Sequence, residues 1–182
     1  VNPCGKLPIT FPRTRADMGI ATPEQYPGID ERGAYSEGVF IGYRRFDKEN
    51  LTPAFPFGHG LSYTTFEYSN LKFSRSRIKA GESVSVEVQI KNAGRREGAE
   101  VVQLYVQDLQ ALLPRPLKEL KGFEKVSLRP GQWKVVHLDL DARSMSFYDP
   151  AQKRWVVEPG RFRVHVGSSS RDIRLTGEFE AA

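Results

Sequence analysis

Ser83-Val-Ser-Val-Glu-Val-Gln-Ile90 alternates strictly between polar and apolar side chains. Val84, Val86, Val88 and Ile90 share one face of this stretch. A period of two is the signature of a strand with one face buried and the other wet. The same alternation returns downstream in Val102, Leu104 and Val106, in Val136, Leu138 and Leu140, and in Phe162, Val164 and Val166. Ile173 and Leu175, with Phe179 beyond them, close the series that Leu71 and Phe73 begin. Turn signals separate these runs at Ala80-Gly81, Asn92-Ala-Gly94, Pro130-Gly131, Asp149-Pro150, Pro159-Gly160 and Ser168-Ser-Ser170. Short strands with one apolar face each must bury that face against a second sheet. The expectation for residues 67–182 is therefore a mainly β fold, a β-sandwich able to fold alone.

Working back from that sandwich, Phe55-Pro-Phe-Gly-His-Gly-Leu-Ser-Tyr-Thr-Thr-Phe66 leads into it. Phe55, Phe57 and Tyr63 are expected to anchor this hinge in apolar surroundings, and Gly58 and Gly60 to allow close backbone approach. Before it the chain is rich in Gly, Pro and Tyr. Leu7-Pro-Ile-Thr-Phe11 is an apolar run whose flanking prolines demote it to an edge strand or extended strap. Residues 13–36 read as irregular, and so long a structureless loop is expected to drape over a partner. Residues 39–46 read as a strand with apolar side chains on both faces, as in the centre of an α/β sheet. Such a sheet would be incomplete here, and its open edges would promote self-association of residues 1–66. Leu117 and Leu120 permit one helical turn, but Pro114 and Pro116 exclude a long helix, and Lys121-Gly-Phe123 resumes an extended pattern.

The 182 residues are 39% hydrophobic and 27% charged, a globular balance. No apolar run approaches the roughly 20 residues of a membrane span, so no membrane partner is expected. The first 66 residues carry seven basic and seven acidic side chains, so the formal net charge of +5 belongs to the remainder. There the bases are interleaved with acids, as in Arg95-Arg96-Glu97 and Glu124-Lys125. That is a solvated surface rather than a nucleic-acid-binding one. Cys4 is the sole cysteine, which excludes an intrachain disulfide and is compatible with secretion, the periplasm or the cytoplasm. The start, Val1-Asn2-Pro3, lacks both a signal pattern and Met, so the chain is expected to be part of a longer polypeptide.

Gly38-Val-Phe-Ile-Gly-Tyr-Arg44, followed by Phe57-Gly-His-Gly-Leu-Ser-Tyr-Thr64, resembles the end of the second domain of family 3 glycoside hydrolases, the β-glucosidase family. Arg115-Pro-Leu-Lys-Glu-Leu-Lys-Gly-Phe123 resembles a signature of the fibronectin type III-like domain at the C-terminus of many members. Asn2-Pro-Cys-Gly-Lys-Leu-Pro8 is also similar, except that Ser is more usual where Cys4 stands. The resemblance implies that residues 1–66 are the last segment of an α/β sandwich domain. It implies an immunoglobulin or fibronectin type III-like sandwich for residues 67–182. It further implies a parent enzyme that hydrolyses terminal β-glucosyl residues with retention, without a cofactor, and that the chain's partners are the catalytic domains preceding it.

Retaining hydrolysis needs two carboxyl groups about 5–5.5 Å apart. In the family the nucleophile is the Asp of a Ser-Asp-Trp type motif, and neither Trp133 nor Trp155 follows an Asp. The family's acid/base Glu lies upstream of the segment matched here. No catalytic residue is therefore assigned. Tyr35, Glu37 and Arg44 are weak candidates for contacting a β-glucoside, with packing and ion pairing the default for each. A rival reading is a carbohydrate-binding module for glucans, whose platform would come from Trp133, Trp155, Tyr105 and Tyr148. Outer-face aromatics also serve docking, which is the favoured role. His59, His137 and His165 are far apart, with no Cys or carboxylate at ligand spacing, so no metal is expected. His137 and His165 are expected on exposed strand faces, and His59 in a packed turn.

Overall fold

The structure is a computed structural model that describes residues 1–20, 22–79 and 81–182. One sheet has three strands in the order β1 (Phe66–Phe73), β3 (Val84–Asn92), β6 (Trp133–Leu140). The other has five, in the order β2 (Arg77–Ile78), β10 (Ile173–Ala181), β9 (Gly160–Gly167), β4 (Gly98–Asp108), β5 (Glu119–Leu128). All pairings are antiparallel except β2 with β10. A short helix, α2 (Ala142–Met145), and a small hairpin of β7 (Phe147–Asp149) and β8 (Arg154–Val156) connect β6 to β9. Ala80 of the expected Ala80-Gly81 turn lies outside the described residues.

The alternating residues fill the space between the sheets. Val84, Val86, Val88 and Ile90 are wholly buried, and so are Val102, Leu104, Val136, Leu140, Phe162, Val164 and Val166. Phe162 stacks on Phe179 with ring centroids 5.6 Å apart. Antiparallel register enforces this, because a slip of one residue would turn every such side chain to the opposite face. At the edge of the core Asn92 is fully buried and satisfied. Its amide donates to the carbonyls of Arg96 at 2.8 Å and Leu128 at 2.9 Å, and its oxygen accepts from Thr64 Oγ1 at 2.6 Å. That set of bonds ties the lead-in segment to the sandwich where β1 starts.

Residues 39–46 do not form the expected strand. Gly38 and Gly42 adopt φ of 57° and 54°, in the region that favours glycine, and break the expected strand. Val39 and Ile41 are half exposed, and the chain instead turns into α1 (Tyr43–Lys48). Six residues cannot hold a helix by propensity. This one is fixed by the Arg45–Glu49 ion pair at 2.7 Å and by burial of Phe46 and Asp47. The strap expectation for residues 7–11 holds. Leu7 and Phe11 exchange backbone hydrogen bonds with residues 54–59, and Phe11 and Phe55 form a single bridge. With no strand before Phe66 among the described residues, the open sheet edges expected to drive self-association are not there.

Candidate functional site

The outer face of β4 positions the contact between residues 1–66 and the sandwich. On that face stand Gln103 and Tyr105, both buried. Tyr105 therefore departs from the expectation of an exposed aromatic. Its hydroxyl donates to Gln103 Oε1 at 2.5 Å, while Gln103 Nε2 donates to the carbonyls of Ser168 at 2.7 Å and Gly58 at 3.3 Å. Burial, with the neighbouring Tyr43 and Asp47, pushes the Tyr105 hydroxyl pKa well up. Gly58 has φ of 80°, and a Cβ there would collide with the Gln103 amide. The glycine lets the lead-in backbone lie directly on the sheet.

Tyr43 of α1 covers the pair. Its ring meets Tyr105 edge-on at 5.8 Å and Phe57 at 5.1 Å, and its hydroxyl accepts from the Leu120 backbone N–H at 2.9 Å. Phe57 is thus the anchor foreseen for the hinge, whereas Phe55 and Tyr63 remain half exposed or more because they lie outside this contact. Next to it Asp47, 3% exposed in its side chain, pairs with Lys118 and, at 3.1 Å, with Arg171. Nη2 of Arg171 donates to the carbonyls of Phe46 and Leu51, both at 3.0 Å. His165 lies half-buried at the same contact and not in solvent as expected, with Nε2 2.9 Å from Gln107 Oε1. Burial, then the charges of Lys118 and Arg163, hold its pKa at about 4. His137 is exposed, as expected of an outer-face residue, and His59 packs at 5.3 Å from Phe55 just after a turn.

A cleft of about 600 Å³ opens beside this contact. It lies between residues 113–121, α2, and the β7–β8 hairpin, with Val39 and Arg44 at its edge. Glu119 at its floor is shared by Arg44 at 3.0 Å, Arg115 at 3.1 Å and Lys121 at 3.5 Å. Burial would raise the Glu119 pKa, but Lys121, Arg44 and Arg115 outweigh it and hold the group below the usual carboxylate range. Burial lowers the Lys121 pKa, and Arg115 adds to that effect. On the wall Arg143 sits 3.3 Å from the centroid of Trp155, whose ring meets Tyr148 at 5.9 Å. A general acid needs a raised pKa; Glu119 goes the other way and reads as an ion-pair hub.

Of Tyr35, Glu37 and Arg44, only Arg44 lines the cleft, together with Tyr148 and Trp155 of the rival platform. Tyr35 is 89% exposed at the entry to the turn at residues 36–39. Glu37 is half-buried in that turn with Oε2 shielded and without a hydrogen-bond partner among the described residues. The remaining buried acids are engaged: Glu100 with Lys6 at 2.8 Å, and Glu158 with the Leu112 N–H at 3.2 Å. Sequence reasoning missed Asp47, Gln103 and Arg171. Gln103 alone left a signal, a polar amide among apolar neighbours in the β4 run.

The fibronectin type III-like domain family matches residues 100–170. The thermostable β-glucosidase B of Acetivibrio thermocellus is 47% identical over 175 residues, covering 96% of this chain and 23% of that protein. β-Glucosidase BoGH3A of Bacteroides ovatus is 41% identical over 182 residues, covering 99% and 24%. Among solved structures, the GH3 β-glucosidase of Bifidobacterium adolescentis superposes with a TM-score of 0.93 at 36% identity, over 100% of this chain and 26% of that one. The chain thus spans about a quarter of the length of the relatives it matches. It belongs to the family 3 glycoside hydrolases, as a C-terminal part that includes their fibronectin type III-like domain.

Proposed function

We propose that this chain is the non-catalytic part of a β-glucosidase and that its work is mechanical. Residues 1–66 are the closing segment of the α/β sandwich domain, and residues 67–182 are the sandwich that buttresses it. The observation that carries this reading is two-sided. One side of residues 1–66 is fastened to the sandwich through Tyr43, Asp47 and Phe57. The rest of that segment leaves Met18, Ile20, Tyr26, Ile29 and Ile41 half exposed or more, with almost no regular structure. A run of apolar side chains of that kind marks an interaction surface. The three quarters of the relatives' length outside this chain is the natural occupant. The parent's retaining hydrolysis of β-glucosides belongs to that part.

The test is made in the full-length enzyme. Ile20→Asp with Ile41→Asp should lower its thermal midpoint and its yield of folded protein while leaving KM for an aryl β-glucoside unchanged in the enzyme that survives. A changed KM with an unchanged midpoint would place these residues at the substrate instead. A second reading, a glucan-binding module, is favoured by the half-exposed Trp155 and Tyr148 alone. Trp133 is exposed too, but on β6 of the other sheet. Titration of the chain with cello-oligosaccharides, following Trp fluorescence, decides it: saturable binding lost in Trp155→Ala supports the module.

A further inference from the structure

The cleft between residues 113–121 and the β7–β8 hairpin carries more cation than it can neutralise. Glu119 serves Arg44, Arg115 and Lys121 together, and Asp108 takes only the other side of Arg115, at 3.1 Å. Asp141 also lines the cleft, but its carboxylate caps α2 by accepting from the N–H and hydroxyl of Ser144. Arg143 enters no ion pair among the described residues and rests on Trp155 alone. Apolar groups rim this charge: Val39 and Trp155 are 50% exposed and Leu113 is 38% exposed. Arginine and large aromatics around a shielded charge are the composition of an interface hot spot. Positive charge left over in such a spot calls for a negative partner.

We propose that this cleft is a second docking site of the chain, and that it receives a carboxylate-bearing loop from the enzyme portion outside it. The inference rests on the reading of the chain as part of a larger β-glucosidase and adds to it a place and a chemistry. Charge complementarity argues for an acidic occupant. The missing three quarters of the relatives' length supplies a partner held in the same polypeptide. Tethering raises the effective concentration of such a loop, so a single carboxylate with an apolar neighbour suffices to fill the site.

Amide hydrogen exchange tests this in the full-length enzyme and in the 182-residue chain. Residues 112–121 and 147–156 should exchange about tenfold more slowly, or slower still, in the full-length enzyme. Arg143→Glu should abolish that difference while leaving β4 equally protected, since the Arg143 side chain meets only the Trp155 ring among the described residues. Leu113→Asp should act in the same direction. Equal exchange of the cleft in both proteins overturns the proposal. If residues 9–41 are nevertheless slowed in the full-length enzyme, the buttressing reading stands and only this site fails. Oligogalacturonate is the probe for the rival occupant. Saturable protection of the cleft by it in the full-length enzyme, lost in Arg143→Glu, would make the site one for acidic saccharides and also overturn the proposal.

Discussion

Arg171 Nε lies 3.1 Å from Asp47 Oδ1, joining the turn between β9 and β10 to a helix more than a hundred residues earlier. The same guanidinium closes the carbonyl end of α1 through Phe46 and Leu51. One arginine thus neutralises a buried acid and bonds both the Phe46 carbonyl, which also accepts from the Leu51 N–H, and the Leu51 carbonyl just beyond the helix.

Asp47→Ala should therefore be costly. It strips the counter-charge from Lys118 and Arg171 at a site where the carboxylate is 3% exposed. Breaking one side of a buried pair costs about 3–5 kcal/mol. Urea unfolding should register a loss near the lower end, because Arg171 keeps partial access to solvent. A loss below about 1 kcal/mol would mean the contact behaves as a surface pair.

Gln103→Ala should cost more than Tyr105→Phe. The first leaves the Ser168 and Gly58 carbonyls and the Tyr105 hydroxyl without their partner; the second removes one donor only. Orphaned buried polar groups cost about 1–3 kcal/mol, against about 1 kcal/mol for one net hydrogen bond. The order of the two midpoints in chemical denaturation checks this. Gly58→Ala should also destabilise, through both its φ and the collision with Gln103.

His165 should make stability depend on pH. Its pKa is about 4 in the folded chain, below an ordinary value of 6.5, so the unfolded chain binds the proton first. Stability is then full above about 6.5 and declines as pH falls toward about 4. The half-buried position and solvent screening reduce the effect to about 1–2 kcal/mol. His165→Gln, measured at pH 7 and pH 4.5, should flatten that part of the profile. An unchanged slope would assign it to the carboxylates.

How far the sequence reaches depends on where burial comes from. Val84 to Ile90 and Phe162 to Val166 announce themselves because one sheet buries one face of each, and a period of two records that. Tyr105 stands on the opposite face of the same β4 that carries Leu104, and what covers it is Tyr43, sixty-two residues away. No local pattern encodes such cover. The helix α1 was hidden by alternating β-branched and aromatic residues, and only Gly42 hinted at the break. The β7–β8 hairpin has strands of three residues, too short for any period to emerge. Of the site candidates, Arg44 pairs with Glu119 at the edge of the cleft, while Tyr35 and Glu37 are not among the residues that line it.

The most direct measurement is turnover of an aryl β-glucoside by the purified 182-residue chain beside the full-length enzyme at equal molar concentration. The chain should show no hydrolysis above buffer, and the full-length enzyme should turn over. Hydrolysis by the chain alone, persisting in Glu37→Gln and through further purification from host enzymes, would contradict the assignment of this region as scaffold.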